Sequence, residues 1–268
     1  MTDNIQYVWL IIYLFALVAL FTYGMNCYLL MIFYRLKRPK ALKQHAAIKK
    51  DFYRKFSAKE WPKVTIQLPI YNERYVVKRL IQSVCRFDYP RKLLEIQILD
   101  DSTDDTVDIA RTMAGQMQAR GFDIQYVHRD HRSGFKAGAL KEGLKTARGE
   151  LVGIFDADFI PGKNFLKETV PYFSDPEIGM LQTRWGHINS DYSMLTRAQS
   201  MGIDGHFGVE QASRAWSGFF MNFNGTAGVW RKTTIEDAGG WQADTLTEDL
   251  DLSYRAQLKG WKLKFVTD

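Results

Sequence analysis

The feature that most constrains this chain is an uncharged stretch of 31 residues, Asn4 to Tyr34, near its N-terminus. About 20 apolar residues are enough for a helix to cross the hydrocarbon core of a bilayer. Aromatic residues stand at both ends of the stretch, as they do where membrane helices meet lipid headgroups. A secretory signal peptide would need a basic start and a shorter apolar core. The sequence therefore predicts a transmembrane helix over residues 1–34, with a buried helix of a soluble protein as the alternative.

A strongly basic segment follows this stretch. Between Arg35 and Lys63 there are eleven Lys and Arg side chains and two acids, a net charge of +9, whereas the whole chain carries +6. The basic character is therefore local, and nucleic-acid binding is disfavoured. Because Lys and Arg are enriched in cytoplasmic loops, the segment predicts a cytosolic C-terminal part. Residues 35–62 are predicted to be a juxtamembrane linker, either an interfacial helix on the membrane surface or an ordinary polar connection.

Beyond Pro62 the sequence alternates short apolar runs with segments of helical length. Strands that alternate with helices form right-handed crossovers in a mostly parallel sheet. Ligands of such sheets bind beyond the carboxyl ends of the strands. The sequence therefore predicts an α/β domain over residues 63–268 with its functional site at that edge. The predicted strands are VTIQL, EIQIL, DIQYV and LVGIF, at residues 64–68, 95–99, 123–127 and 151–155.

Each predicted strand is followed by a loop that carries charged or amide side chains. Two carboxylates after a strand, as in FDADF, suit a hard cation such as Mg²⁺ or Mn²⁺, which takes oxygen ligands and substrate phosphates. A lysine near a helix start, as in RSGFKAG, suits an anion. The first loop, PIYNER, has no glycine, which argues against a dinucleotide site. The loop residues are Asn72, Glu73, Asp100, Asp101, Arg132, Lys136, Asp156 and Asp158.

The stretch LTEDLDLSYR, residues 246–255, places three acids at the predicted start of an amphipathic helix. Thr247 is a good N-cap residue. Acids in a first helical turn complement the positive end of the helix dipole. Capping alone therefore explains this composition.

Seven segments together resemble the inverting family 2 glycosyltransferases. Among these, the resemblance is greatest to the processive, membrane-embedded branch that includes cellulose synthase and the cellulose synthase-like mannan and glucomannan synthases. It covers residues 64–264, essentially the whole predicted cytosolic part. The segments are QLPIYNE, DDSTDDT, RSGFKAGALKEGL, FDADF, LQTRWGHIN, FNGTAGVWR and LTEDLDLSYRAQLKGWK, in this order.

The resemblance implies a GT-A fold, with a nucleotide-binding half on the parallel sheet and an acceptor half after the DAD residues. It also implies transfer of glucose or mannose from a nucleoside diphosphate sugar, such as UDP-glucose or GDP-mannose, to a growing β-linked polysaccharide. The implied cofactor is Mg²⁺ or Mn²⁺.

The resemblance assigns roles to individual residues. Asp249 of the TED triplet matches the catalytic base, with Glu248 in a supporting role and Asp251 as a structural residue. Asp156 and Asp158 match the metal and diphosphate ligands. The residues implied for the nucleotide sugar are Glu73, Asp100 or Asp101, Arg132, Lys136 and Asp156, and those implied for the donor sugar and acceptor are Asn224, Gly225, Thr226, Glu248 and Trp185, the last either stacked on sugar or buried.

Three other functions are compatible with parts of the sequence. They are a glycosyltransferase with a lipid acceptor such as ceramide or a polyprenyl phosphate, a silent module that binds nucleotide sugars, and a phosphohydrolase with an Asp nucleophile. The sequence also departs from the family pattern, because no QxxRW motif follows Asp249 before residue 268. We therefore expect this chain to be a fragment of a protein with further transmembrane helices; the alternative is a protein that differs from the family at its acceptor channel.

Overall fold

The computed structural model describes residues 2–267, with side chains from residue 5 onward. Its first element is one long helix, α1, Thr2–Lys55. At 1.5 Å per residue this helix is about 80 Å long. Apolar side chains between Ile5 and Leu29 are exposed around its whole circumference, which is the arrangement that suits a lipid environment. By length and composition, α1 is a candidate membrane span.

The second half of α1 packs against the globular domain. The helix continues past residue 34 to Lys55, so most of the predicted linker is a rigid part of it. Phe52 of the predicted linker is only 6% exposed and belongs to the domain core, so this part of the helix does not lie on a membrane surface. Lys49 Nζ lies 2.6 Å from Glu168 Oε2 of the domain. The helix is therefore fixed to the domain through side chains of the predicted linker.

The domain is built on a seven-stranded sheet of order β3-β2-β1-β4-β6-β5-β7. The four predicted strands are confirmed as β1 to β4 and are mutually parallel. Strand β6 is antiparallel to both of its neighbours, and β5 is parallel to β7. The strands are β1 Val64–Ile70, β2 Leu94–Asp100, β3 Asp123–His128, β4 Leu151–Ile154, β5 Ile178–Thr183, β6 Gly228–Arg231 and β7 Lys262–Val266.

Successive side chains of a strand point to opposite faces of the sheet. Apolar side chains occur on both faces here, and helices cover both of them. Ile66 and Ile96 belong to one core, and Val152 and Trp230 to the other. A wide π-helical turn, His206–Gln211, joins α6 to α7. The remaining helices are α2 Val77–Val84, α3 Thr106–Ala119, α4 Phe135–Thr146, α5 Phe165–Thr169, α6 Met194–Gly205, α7 Ala212–Ser217, α8 Lys232–Asp237 and α9 Glu248–Leu258, with short 3-10 helices at Arg91–Leu93 and Val170–Ser174.

The strand register brings the loops after the first strands to one edge. Ile70 of β1 is level with Asp100 of β2, and Asp100 is level with His128 of β3. Strand β4 pairs with β1 up to Ile154, so the DAD residues leave the sheet at the same end. The four predicted loops therefore surround a common space.

Candidate active site

A cavity of about 340 Å³ lies at the carboxyl edge of the parallel strands. All four predicted loops contribute to its wall, as the strand order requires. Its lining residues are Pro69, Ile70, Tyr71, Glu73, Asp101, Arg132, Lys136, Ala139, Asp156, Ala157 and Asp158.

Lys136 connects the DAD loop after β4 to the FNGTAG segment before β6. It stands in the first turn of α4, which begins after Gly134 in a left-handed conformation. Its ammonium group donates to the carboxylate of Asp156 and, at 2.9 Å, to the carbonyl oxygen of Gly225. The backbone N–H of Asp156 donates to Thr226 Oγ1 at 2.9 Å. The DAD loop and the FNGTAG segment are thereby held together.

Asp249 and Lys136 both approach the position that a side chain on Gly225 would occupy. A Cβ atom placed on Gly225 would stand 3.1 Å from Asp249 Oδ2 and 3.2 Å from Lys136 Nζ. The other oxygen, Oδ1, accepts the Leu250 N–H at 2.8 Å. The Asp249 carboxylate therefore lies near the Lys136 ammonium group that pairs with Asp156, although 93 positions separate Asp249 from Asp156 in the sequence.

Thr247 occupies the predicted N-cap position of α9, but the predicted side-chain capping hydrogen bond is not formed. Its ψ of 75° lies outside the β region that N-cap residues usually adopt. Asp251, predicted to be structural, accepts two hydrogen bonds from Arg255, at 2.6 and 2.9 Å.

Burial and mutual repulsion raise the pKa values of several carboxyl groups at this site. Burial raises the pKa of Asp156, with Lys136 opposing the rise and Asp158 and Asp249 adding to it. Burial also raises the pKa of Glu73, reinforced by the charges of Asp158 and Asp156. These shifts mark a concentration of negative charge that a bound cation would relieve.

The donor set fits a divalent cation that is only partly enclosed by protein. Asp156 and Asp158 offer hard oxygen ligands in the cavity wall. Within residues 2–267, no three His, Cys, Asp or Glu side chains are arranged to hold a metal ion by themselves. Mg²⁺ is typically held by one or two carboxylates together with substrate phosphates, so the two aspartates suit a metal that is completed by a phosphorylated ligand.

The two adjacent acids after β2 have different environments. Asp100 is fully buried and accepts hydrogen bonds from Ser102 N–H at 2.9 Å and Tyr126 O–H at 2.7 Å. Asp101 lines the cavity and is held by two nitrogens of Arg129 at 2.7 and 2.5 Å. Of the pair, Asp101 is the one placed to meet a ligand. Arg129 was not among the predicted site residues. The only feature of the sequence that pointed to it is its position in the basic loop after β3.

Arg132 and Trp185 contact aromatic rings. The Arg132 guanidinium lies 3.5 Å from the centre of the Tyr71 ring, within the cavity wall. Trp185 packs between Phe159 and Phe207, with ring centres 5.1 and 4.6 Å away. It also lines a neighbouring cavity of about 800 Å³ that includes Asp158. Trp185 therefore packs against two aromatic rings and also borders a cavity in which it could contact a sugar.

A polar network that the sequence did not reveal holds Asn224. Its Oδ1 accepts from Gln211 Nε2 at 2.7 Å, and its backbone N–H donates to Gln182 Oε1 at 2.9 Å. Its Nδ2 lies 3.1 Å from His206 Nε2. His206 and Gln211 begin and end the π-helical turn, a feature often found near functional sites.

Solved structures establish the class of fold. The mannosyltransferase PcManGT from Pyrobaculum calidifontis, solved with GDP-Man and Mn²⁺, has a TM-score of 0.64 and 21% identity, over 89% of this chain and 67% of its own. S. aureus TarS 1-349 in complex with UDP-GlcNAc has a TM-score of 0.57 and 19% identity, over 77% of this chain and 56% of its own. The domain has the GT-A glycosyltransferase fold.

Sequence comparisons give the family. A family profile described as "Glycosyltransferase like family 2" matches residues 62–268. Glucomannan 4-beta-mannosyltransferase 9 of Arabidopsis thaliana is 43% identical over 235 residues, 86% of this chain and 44% of that protein. Glucomannan 4-beta-mannosyltransferase 1 of Cyamopsis tetragonoloba is 44% identical over 216 residues, 79% of this chain and 41% of that protein. The chain belongs to glycosyltransferase family 2 and spans less than half the length of these relatives.

Proposed function

We propose that this chain forms the donor-binding and catalytic part of a membrane-bound inverting hexosyltransferase. It would transfer mannose or glucose from a nucleoside diphosphate sugar to a growing β-linked polysaccharide. The observation that carries the proposal is the convergence of Asp156, Lys136 and Asp249 around Gly225. The Arabidopsis and Cyamopsis relatives are named as mannosyltransferases, which favours mannose among the hexoses.

The proposed reaction is a single displacement at the anomeric carbon. An acceptor hydroxyl oxygen forms the new glycosidic bond while the bond from the anomeric carbon to the diphosphate breaks, and the nucleoside diphosphate leaves with the electron pair. Asp249 takes the hydroxyl proton, since its Oδ2 lies beside Gly225 and close to Lys136, which lines the cavity. Lys136 neutralises charge on the diphosphate side.

The other site residues have supporting roles in this proposal. Asp156 and Asp158 would hold Mg²⁺ or Mn²⁺, which when bound stabilises the leaving diphosphate. Asp101, fixed by Arg129, would contact the nucleoside, and Arg132 on the Tyr71 ring would add positive charge. The acceptor would occupy the neighbouring cavity beside Trp185. Helix α1 would span the bilayer, with the domain on the cytosolic side.

Replacement of Asp249 by Asn tests the catalytic assignment. Turnover of UDP-glucose or GDP-mannose with Mn²⁺ should fall by about 10²- to 10⁴-fold, the range that a general base contributes, because Asn accepts no proton. Binding of the nucleotide sugar should remain, because Asp249 is not among the residues lining the 340 Å³ cavity. Asp244→Asn, an exposed change in the preceding loop, is the matched control and should keep turnover. Unchanged turnover in Asp249→Asn would show that the base lies elsewhere.

The acceptor class is tested separately. The same chain in detergent is supplied with radiolabelled donor and either β-linked oligosaccharides or lipid acceptors such as ceramide and polyprenyl phosphate. Label in the oligosaccharide supports the proposal. Label only in lipid supports the lipid-acceptor alternative, and binding without any transfer or donor hydrolysis supports a silent nucleotide-sugar module.

A further inference from the structure

A cavity of about 570 Å³ lies between α1 and the globular domain, away from the site described above. We call it the juxtamembrane cavity. Helix α1 contributes one wall, and the domain contributes the rest through the 3-10 helix Val170–Ser174, the start of β5, α7 and β7. The polar and aromatic side chains of its wall include Lys37, Lys40 and Gln44 of α1, Trp216 of α7 and Lys264 of β7.

The juxtamembrane cavity has an excess of positive charge. Among the described residues, Lys37, Lys40 and Lys264 have no acidic side chain within 4.0 Å. One acid, Asp175, also lines the cavity, and its Oδ1 already accepts the Glu177 N–H at 2.9 Å. Three lysines from two separate parts of the chain therefore line a common space that holds one carboxylate, so positive charge remains in excess. Such an arrangement favours an anionic ligand.

The cavity lies immediately beyond the apolar part of α1. The uncharged stretch ends at Tyr34, and Lys37 and Lys40 follow one and two helical turns later, about 5 and 9 Å along the axis. The Tyr34 ring stacks on Trp216, with centres 5.5 Å apart and planes 20° apart. The buried Trp216 indole N–H has no hydrogen-bond partner among residues 2–267. Amphipathic aromatic rings next to basic side chains are typical of the headgroup level of a membrane.

We propose that the juxtamembrane cavity binds the phosphate headgroup of an anionic phospholipid from the cytosolic leaflet. The inference rests on the proposed membrane span of α1. Lys37 and Lys40 would contact the phosphodiester from the helix and Lys264 from the domain, while the acyl chains lie along the exposed apolar side of α1. A headgroup held in this way links the domain to the membrane surface independently of donor binding.

The test measures phospholipid retained by the full chain in detergent micelles, by native mass spectrometry. The probes are dioleoyl phosphatidylglycerol, dioleoyl phosphatidylcholine and inorganic phosphate, each titrated separately. We expect phosphatidylglycerol to bind best. Lys264→Gln should weaken its binding about fivefold, the effect of about 1 kcal/mol for one lysine at a membrane surface. Lys264→Arg should restore it.

Matched controls separate a built site from general basic character. Lys43→Gln and Lys50→Gln remove exposed cations from the same helix, outside the cavity, and should leave binding unchanged. Equal losses in all the Gln variants would overturn the proposal, as would equal affinity for phosphatidylcholine or for inorganic phosphate. Alkaline extraction of membranes tests the span itself. Release of the wild-type chain from membranes would refute the proposed membrane span of α1. The lipid-binding measurement in micelles needs no bilayer, so it tests the proposed lipid site separately from the span.

Discussion

At the scale of single residues, Gly225 lets the proposed catalytic base Asp249 and Lys136 approach each other. Its φ of 78° lies in the left-handed region that a side chain makes unfavourable. The missing Cβ leaves space between Asp249 Oδ2 and Lys136 Nζ. Any side chain here would displace one of these two charged groups. Gly225 therefore has both a conformational and a steric role.

Gly225→Ala should reduce turnover strongly, because the new methyl group stands about 3 Å from both charged atoms. Gly218→Ala is a matched control, since Gly218 has a φ of 77° but no atom within 4 Å of an added Cβ. Both variants should lose about 1–2 kcal/mol of stability through the left-handed backbone. Only Gly225→Ala should lose activity, measured as donor turnover beside thermal unfolding. Equal activity in both variants would contradict the steric role.

Glu248 should make stability depend on pH. Burial, reinforced by Asp249 and Asp156, raises its pKa above the usual 4.5. The folded state then holds the proton more tightly than the unfolded state, so this group lowers the free energy of unfolding as pH rises from about 4.5 through the raised pKa. Glu248→Gln should therefore stabilise the protein at neutral pH and much less at acidic pH.

The measurement for Glu248 is chemical denaturation of both proteins from about pH 4 to about pH 8. Glu142→Gln, an exposed change on α4, controls for loss of a surface carboxylate. A stability difference between Glu248→Gln and wild type that stays constant across this range would rule out a raised pKa.

At the scale of elements, one arginine ties together the loops after β2 and β3. Arg129 donates to both carboxylate oxygens of Asp101 and to the carbonyl oxygens of Ser133 and Phe135, at 3.1 and 3.0 Å. These carbonyls lie at the turn that leads into α4. The position of Lys136 in the first turn of α4 therefore depends on this tie.

Arg129→Ala should destabilise the protein by about 3–5 kcal/mol, because it leaves Asp101 as an unpaired and almost buried charge. The side chains of Asp101 and Arg129 are only 4% and 16% exposed. Arg74→Ala is the control, since its pair with Asp105 is 46% and 78% exposed and should contribute only about 0–1 kcal/mol. Denaturant unfolding measures both. If Asp101→Asn combined with Arg129→Ala is no more stable than Arg129→Ala alone, the unpaired charge is not the cause.

At the scale of the whole molecule, α1 is both the candidate membrane span and a structural part of the domain. Its first half makes few contacts with the domain, whereas its second half contributes Phe52 to the core and Lys49 to an ion pair. Motion of the domain relative to the proposed bilayer is therefore restricted by a helix rather than allowed by a flexible linker.

Two truncations should separate these roles. A chain that begins at residue 30, which keeps the Tyr34 contact with Trp216, should leave the membrane fraction but unfold close to the wild-type temperature. A chain that begins at residue 61 should be destabilised by at least the about 3–5 kcal/mol of a lost core phenylalanine. Phe52→Ala in the full chain is the control for the second truncation. Similar unfolding temperatures for both truncated chains would show that the docked half of α1 adds no stability.

The sequence by itself determined the local elements and the chemistry of their ends. The uncharged stretch, the apolar runs of β1 to β4 and the acids of DAD and TED are patterns of neighbouring residues, and these predict helices, strands and polar loops. The parallel order of the first strands also follows from local alternation of strand and helix. This order predicts that Glu73, Asp101, Lys136 and Asp156 lie at one edge of the sheet, and all four line the cavity there.

Only the tertiary structure decided which distant groups meet. Strand β6 enters the sheet antiparallel between β4 and β5, and this brings the FNGTAG segment beside the DAD loop. The contact of Gly225 with Asp249 and Lys136, the Arg129 tie and the docking of Phe52 all join segments far apart in the chain. Local periodicity carries no information on such pairings, because they depend on how whole elements pack and share buried surface.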